Sequence, residues 1–211
     1  EFVFVPGDTV TLGWEQFAEG LNQESREELD YLFQEWEMEP QNPEEMIRES
    51  MAPVRQAAIG PMLVGRELEE LCWEPVKIDD SRLTAHPDWL KEFRDFAWSD
   101  SSSLTLHQSA RIERTEDGFQ TWIYNRTDYN ALLARLEKQG LSLPTVDEWA
   151  YLCGGGCRTL FPWGDGLDYS MHLHWFEDMD EDENRPYDME EPNFFGLSIA
   201  YDPYMREVVQ A

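Results

Sequence analysis

The chain has 211 residues, 44 of them acidic and 16 basic, for a formal net charge of −28. A surface of that sign repels phosphate backbones and anionic lipids, so nucleic acid and membrane are excluded as default partners, while a basic peptide, a cationic protein or a divalent metal is compatible. Hydrophobic residues make up 41% without any run long enough to span a bilayer, which describes a soluble globular chain large enough for one sizeable domain.

The start reads as a hairpin. Phe2-Val3-Phe4-Val5 is a β-rich run closed by Pro6-Gly7-Asp8, and Thr9-Val10-Thr11-Leu12-Gly13 resumes the alternation. From Trp14 the pattern turns helical, with Phe17, Leu21, Leu29, Leu32, Phe33 and Trp36 at helical intervals and Gly20 and Asn22 dividing it into two helices. After Pro40 to Pro43 a short helix runs from Glu44 through Ser50 with Met46 and Ile47 inward. Residues 52–76 are mixed, with Met62-Leu63-Val64-Gly65 and Leu71-Cys72-Trp73 as candidate strands or turns. Asp88 to Trp98 carries Trp89, Leu90, Phe93, Phe96 and Ala97 on one helical stripe behind Pro87. Asp100 to Ser103 is a loop.

Residues 104–124 predict two strands joined around Glu116-Asp117-Gly118, because Asp-Gly between β-rich arms favours a tight turn. Thr127 then caps a helix that sets Tyr129, Leu132, Leu133 and Leu136 on one face and ends at Gly140. No linker separates 14–98 from 104–211. The whole chain 1–211 is therefore expected to be a single domain, 14–98 being an N-terminal helical elaboration.

The stretch from Leu141 to Gly166 is the most informative. Pro144 keeps Leu143 out of the helical region, and Thr145 with Glu148 three positions on forms a capping box, so a helix starts at about Val146. Val146, Trp149 and Leu152 share a face, Gly154-Gly155-Gly156 ends the helix, and Phe161-Pro162-Trp163-Gly164-Asp165-Gly166 follows as an aromatic turn.

This arrangement resembles the formylglycine-generating enzyme, or sulfatase-modifying factor, domain family, a variant of the C-type lectin-like fold. Leu143, Pro144, Thr145, Glu148, Trp149, Pro162, Trp163, Gly164 and Asp165 stand in the places of the family's motif, and Pro192-Asn193-Phe194-Phe195-Gly196-Leu197 resembles its Pro-Asn-x-Phe-Gly-Leu element. The helix at 125–140 matches the one that precedes the motif, and Leu12-Gly13 matches the end of the opening strand. The resemblance covers 125–211 and implies an α+β, C-type lectin-like domain with much irregular structure. The family's next element, Gly-Asn-Val-Trp-Glu-Trp, helps bind calcium. Here the chain reads Ser198 to Val208, in which Glu207 alone keeps a counterpart. The family's enzymes oxidise a substrate cysteine with copper held by two cysteines near the C-terminus, and the chain reaches Ala211 before such a segment. A start at Glu1 in place of Met fits an incomplete record of a longer protein, whose tail would hold that pair.

Several constellations are candidates for chemistry. Glu177 to Glu191 crowds acids into one loop, and Glu177, Asp178 and Asp180, with Asn193 and Glu207, are a speculative calcium set; a solvated acidic loop is the plainer reading. Loop aromatics suited to burying area for little rotamer entropy are Trp163, Tyr169, Trp175, Tyr187, Phe194 and Tyr201, with Asp165 beside them. Cys153 and Cys157 flank the glycines as small turn residues, a weak metal signal or a reversible disulfide. With Cys72 they make an odd, sparse set that argues against a secreted disulfide scaffold and fits a reducing cytoplasm. His172 and His174 lack a nameable third ligand, and His86, His107 and Ser101 to Ser103 lack a catalytic context.

Three functions follow. The first is a non-catalytic binding or scaffold module for a protein or peptide. The second is a copper-dependent cysteine oxidase with its cysteines beyond Ala211, to be tested by copper titration of the full-length protein. The third is a calcium-dependent lectin-like carbohydrate binder.

Overall fold

The computed structural model describes residues 1–17, 21, 23–38, 42–160, 164–165, 191–200 and 205–210, and these form an α+β protein. They divide into two compact units, the first made of Glu1–Leu68 and Leu143–Ala211, the second of Glu69–Ser142. The segment 14–98 is shared between them and carries strands as well as helices.

The opening hairpin does not form. Strands β1 (Phe2–Val5) and β2 (Asp8–Leu12) run on in one direction, β1 pairing antiparallel with β4 (Met62–Gly65) and β2 with β3 (Arg55–Ile59). The register passes without a slip from Phe2↔Gly65 and Val5↔Met62 to Asp8↔Ile59 and Leu12↔Arg55, which leaves Pro6 opposite Pro61 and Gly7 opposite Gly60. These four strands are thus one long ribbon, broken only where prolines cannot donate to the ladder. Pro6-Gly7 is an extended crossing, and a turn signal read from composition misplaced the chain reversal.

The break has a purpose in packing. Val3 and Val5 precede it and Val10 and Leu12 follow it, positions that a straight strand would point to opposite faces. All four nevertheless meet one core, together with Ala57, Ile59, Met62 and Val64 from the partner strands and Tyr151, Leu152 and Leu197. The ribbon turns over at the proline-glycine step so that both halves cover the same core. Gly7 is required there, because a Cβ would lie 2.5 Å from Ile59 O and 2.6 Å from Pro61 N.

Beside this core, α1 (Gln23–Glu35) and α2 (Pro43–Ser50) enclose a second cluster of Trp14, Phe17, Leu21, Leu29 and Phe33, with Met46, Ile47 and Leu160 against it. The earlier of the two helices expected after Trp14 is not formed at 14–17, and 18–20 and 22 lie outside the described residues.

In the second unit, β5 (Trp73–Val76), β6 (Ser103–Leu106), β7 (Ala110–Thr115) and β8 (Gly118–Tyr124) make an antiparallel sheet in the order β5-β8-β7-β6. The Glu116-Asp117 turn joins β7 to β8 as the sequence predicts. Pro75 is tolerated because β5 is an edge strand. One sheet face buries Ala110, Ile112 and Ile123 against Leu83 of α3 (Ser81–Thr84) and Phe93 and Phe96 of α4 (Pro87–Phe96). On the other face the Arg111 guanidinium lies between the rings of Trp73 and Trp122, 4.8 and 4.7 Å from their centroids, and ion-pairs with Glu70. Helix α5 (Tyr129–Lys138) is capped by Asp128, whose carboxylate accepts from Ala131 N, and not by Thr127. The carboxylate one position nearer the helix reaches the orphan amide. No helix among the described residues is long and apolar enough to cross a membrane.

Candidate functional site

The candidate site is organised by helix α6 (Val146–Cys153) in the first unit. Thr145 Oγ1 accepts from Glu148 N at 3.2 Å, and Glu148 Oε2 accepts from Thr145 N at 2.7 Å, completing the predicted capping box. Asp147 at the same end pairs with Arg55 of β3 at 2.7 Å, so the helix start is tied to the ribbon. The backbone of Thr145 bridges in parallel to Gln210, whose N–H donates to Pro144 O at 2.8 Å.

Two downstream residues hold the rest of the helix. Trp149 Nε1 donates to Glu207 Oε2 at 2.9 Å, and the other oxygen of Glu207 accepts from Ala200 N at 2.8 Å. Asn193, only 4% exposed, closes the C-terminal end. Its Nδ2 donates to Leu152 O at 2.7 Å and Cys153 O at 3.4 Å, carbonyls of the last helical turn of which the first also accepts from Gly155 N at 3.1 Å, while its Oδ1 accepts from Phe195 N at 3.0 Å and Leu197 N at 3.3 Å. One side chain therefore caps the helix and folds its own loop. Gly155 makes room for it: the backbone there is left-handed with φ 58°, and a Cβ would sit 3.3 Å from Phe194 N.

Phe195 turns inward, its ring 4.9 Å from that of Tyr151, whereas Phe194 between the two anchors is 67% exposed. Asp165 Oδ1 accepts from Leu160 N at 2.8 Å. Asn193 and Glu207, expected as calcium ligands, are both engaged on α6 through the bonds above. Glu177, Asp178, Asp180, Trp163, Tyr169, Trp175, Tyr187, Tyr201, His172 and His174 lie outside the described residues. Among the described residues no group of three His, Cys, Asp or Glu is placed to hold a metal ion.

The three cysteines form no disulfide. Burial, with a smaller contribution from the Glu207 carboxylate, pushes the Cys153 thiol up to about 11, and burial also raises Cys157. Both are thus protonated at neutral pH, the opposite of what a nucleophilic thiolate needs.

One feature was missed in the sequence. Cys157 and Arg158 border a cavity against β2 and α6. The signal for it is that Trp149–Gly164 contains no Asp or Glu in a chain otherwise dense with them.

No protein family, curated protein or solved structure matches the chain.

Proposed function

We propose that the chain is a domain of the formylglycine-generating enzyme type, with a C-type lectin-like fold, that serves over these residues as a binding or scaffold module for a protein or peptide. The observation that carries this reading is the exposure of Phe194, 67%, between two residues that are fixed to α6. A large apolar side chain on a backbone pinned on either side buries area on contact while losing little freedom, which is the economy of an interface anchor. The convergence of the capped helix, the glycine link, the Asn193 segment and Glu207 in one unit supports the resemblance that the motif carries.

Net charge −28 favours a basic partner through steering and complementarity. Calcium remains part of the proposal through Glu177, Asp178 and Asp180, and would act by gathering acidic oxygens into a fixed loop.

The test is selection of peptides from a random library on the intact chain, followed by affinity measurement on Phe194→Ala. The reading predicts enriched peptides that are basic with an apolar anchor and that lose about tenfold or more in affinity on the variant. Peptides that bind both proteins equally, or no enrichment at all, would overturn it.

A further inference from the structure

The cavity between β2 and α6 has a volume of about 280 Å³. Its lining is mixed, with Val10, Leu12, Ala150 and Tyr151 supplying the apolar part beside Thr11, Cys157 and Arg158. Arg158 is anchored through one N–H, Nη1 donating to Thr11 O at 3.3 Å. Arg48, Arg55, Arg66, Arg82, Arg111 and Arg135 all pair with Asp or Glu, whereas no ion pair to a described carboxylate is formed by Arg158. Arg26 and Arg206 in the same unit, and Arg94 and Arg114 in the other, are likewise held on backbone carbonyls, but none of them borders the cavity.

We propose that this cavity binds a small monocarboxylate with an apolar body, its carboxylate on the Arg158 guanidinium and its hydrocarbon against Val10, Leu12 and Tyr151. A guanidinium has five donors in a planar fork that matches a carboxylate, and among the described residues Thr11 O is the acceptor it meets. The apolar part of the lining gives the hydrocarbon somewhere to leave water. The volume sits at the bottom of the range for ligand sites, which suits a molecule of about ten non-hydrogen atoms. A dianion such as phosphate is disfavoured, because one arginine faces it while the chain carries −28 overall.

The inference does not rest on the partner reading, since Phe194 is not in the cavity wall. The test is titration of the intact ¹⁵N-labelled chain with hexanoate and 3-phenylpropanoate, alongside the corresponding primary amides. Saturable shifts of the Ala150, Tyr151, Gly156 and Cys157 amides are expected for the acids, with dissociation constants near roughly 1 mM. The amides should bind about tenfold more weakly, and Arg158→Gln should abolish the difference while Arg158→Lys retains part of it. Phe194→Ala should leave acid binding unchanged. Competition by N-acetyl-Gly-Leu would place the ligand chemistry at a peptide C-terminus, and lack of competition would assign it to a free acid. Equal binding of acid and amide, or acid binding insensitive to Arg158→Gln, would overturn the proposal, as would the absence of saturable shifts.

Discussion

The indole N–H of Trp149 donates to the carboxylate of Glu207 across 58 positions of sequence, at 2.9 Å. The bond joins the centre of a capped helix to the segment after the Phe-Gly-Leu element, and the second carboxylate oxygen fastens that segment to Ala200 N. A residue attractive as a metal ligand on composition is thereby a clasp. The clasp also places negative charge near Cys153, which helps hold that thiol protonated.

Asn193 should be the most sensitive polar position in the first unit. Asn193→Ala removes a buried side chain that both caps α6 and folds the following loop, so chemical denaturation should show a loss of about 3–5 kcal/mol. Asn193→Asp keeps the acceptor for Phe195 N and Leu197 N but cannot donate to Leu152 O, and it brings a charge into a buried site. It should therefore be no better tolerated than the alanine variant.

Gly7 and Gly60 face each other in the ribbon yet should respond oppositely to alanine. A Cβ at Gly7 meets backbone atoms at 2.5–2.7 Å, whereas one at Gly60 meets nothing within 4 Å. Thermal melts should show Gly7→Ala destabilised by about 2 kcal/mol or more and Gly60→Ala within about 0.5 kcal/mol of the parent. Equal effects would contradict the crossing described for Pro6 and Pro61.

Asp80 links stability of the second unit to acid. The Arg82 side chain, and then the Arg82 backbone N–H, hold its pKa down at about 2 from the ordinary 3.8. A carboxylate depressed on folding contributes stability that is present above the unfolded value and is lost as pH falls through the folded one. The window is therefore about pH 4 down to about pH 2. Stability against pH, measured by denaturant titration, should show a steeper decline for the parent than for Asp80→Asn across that window, with the two curves converging at its lower end.

Cys153 should alkylate slowly at neutral pH and accelerate up to about pH 11. Glu207→Gln removes the smaller of the two causes of its raised pKa, so the alkylation profile should shift to lower pH but stay above the ordinary thiol range. Mass spectrometry of the labelled cysteine reads this directly.

How much was legible depended on whether the deciding interaction was local. Thr145 and Glu148 are three positions apart, and the capping box they predict starts α6 where expected. The Asp117-Gly118 signal likewise placed the β7–β8 turn, and Met46 and Ile47 face inward on α2 as their spacing implies. The opening segment failed because Pro6-Gly7 satisfies a turn by composition, while its actual conformation is set by Pro61 and Gly60 more than 50 positions away. Thr127 and Asp128 are neighbours with similar capping propensity, so one-residue precision needed coordinates. Asn193 and Glu207 stood out in the sequence as candidate calcium ligands. Their roles were not legible, because which donor a buried oxygen meets is a tertiary fact. Arg158 was passed over because the cavity wall comes from β2, α6 and the glycine link together.

A double-mutant cycle on Trp149→Phe and Glu207→Ala, read by denaturant unfolding, tests most directly that helix α6 and the distant Glu207 segment form one locked unit. A hydrogen bond to a carboxylate in this partly buried setting should give a favourable coupling of about 1–3 kcal/mol. Additivity of the two substitutions to within about 0.3 kcal/mol would contradict it.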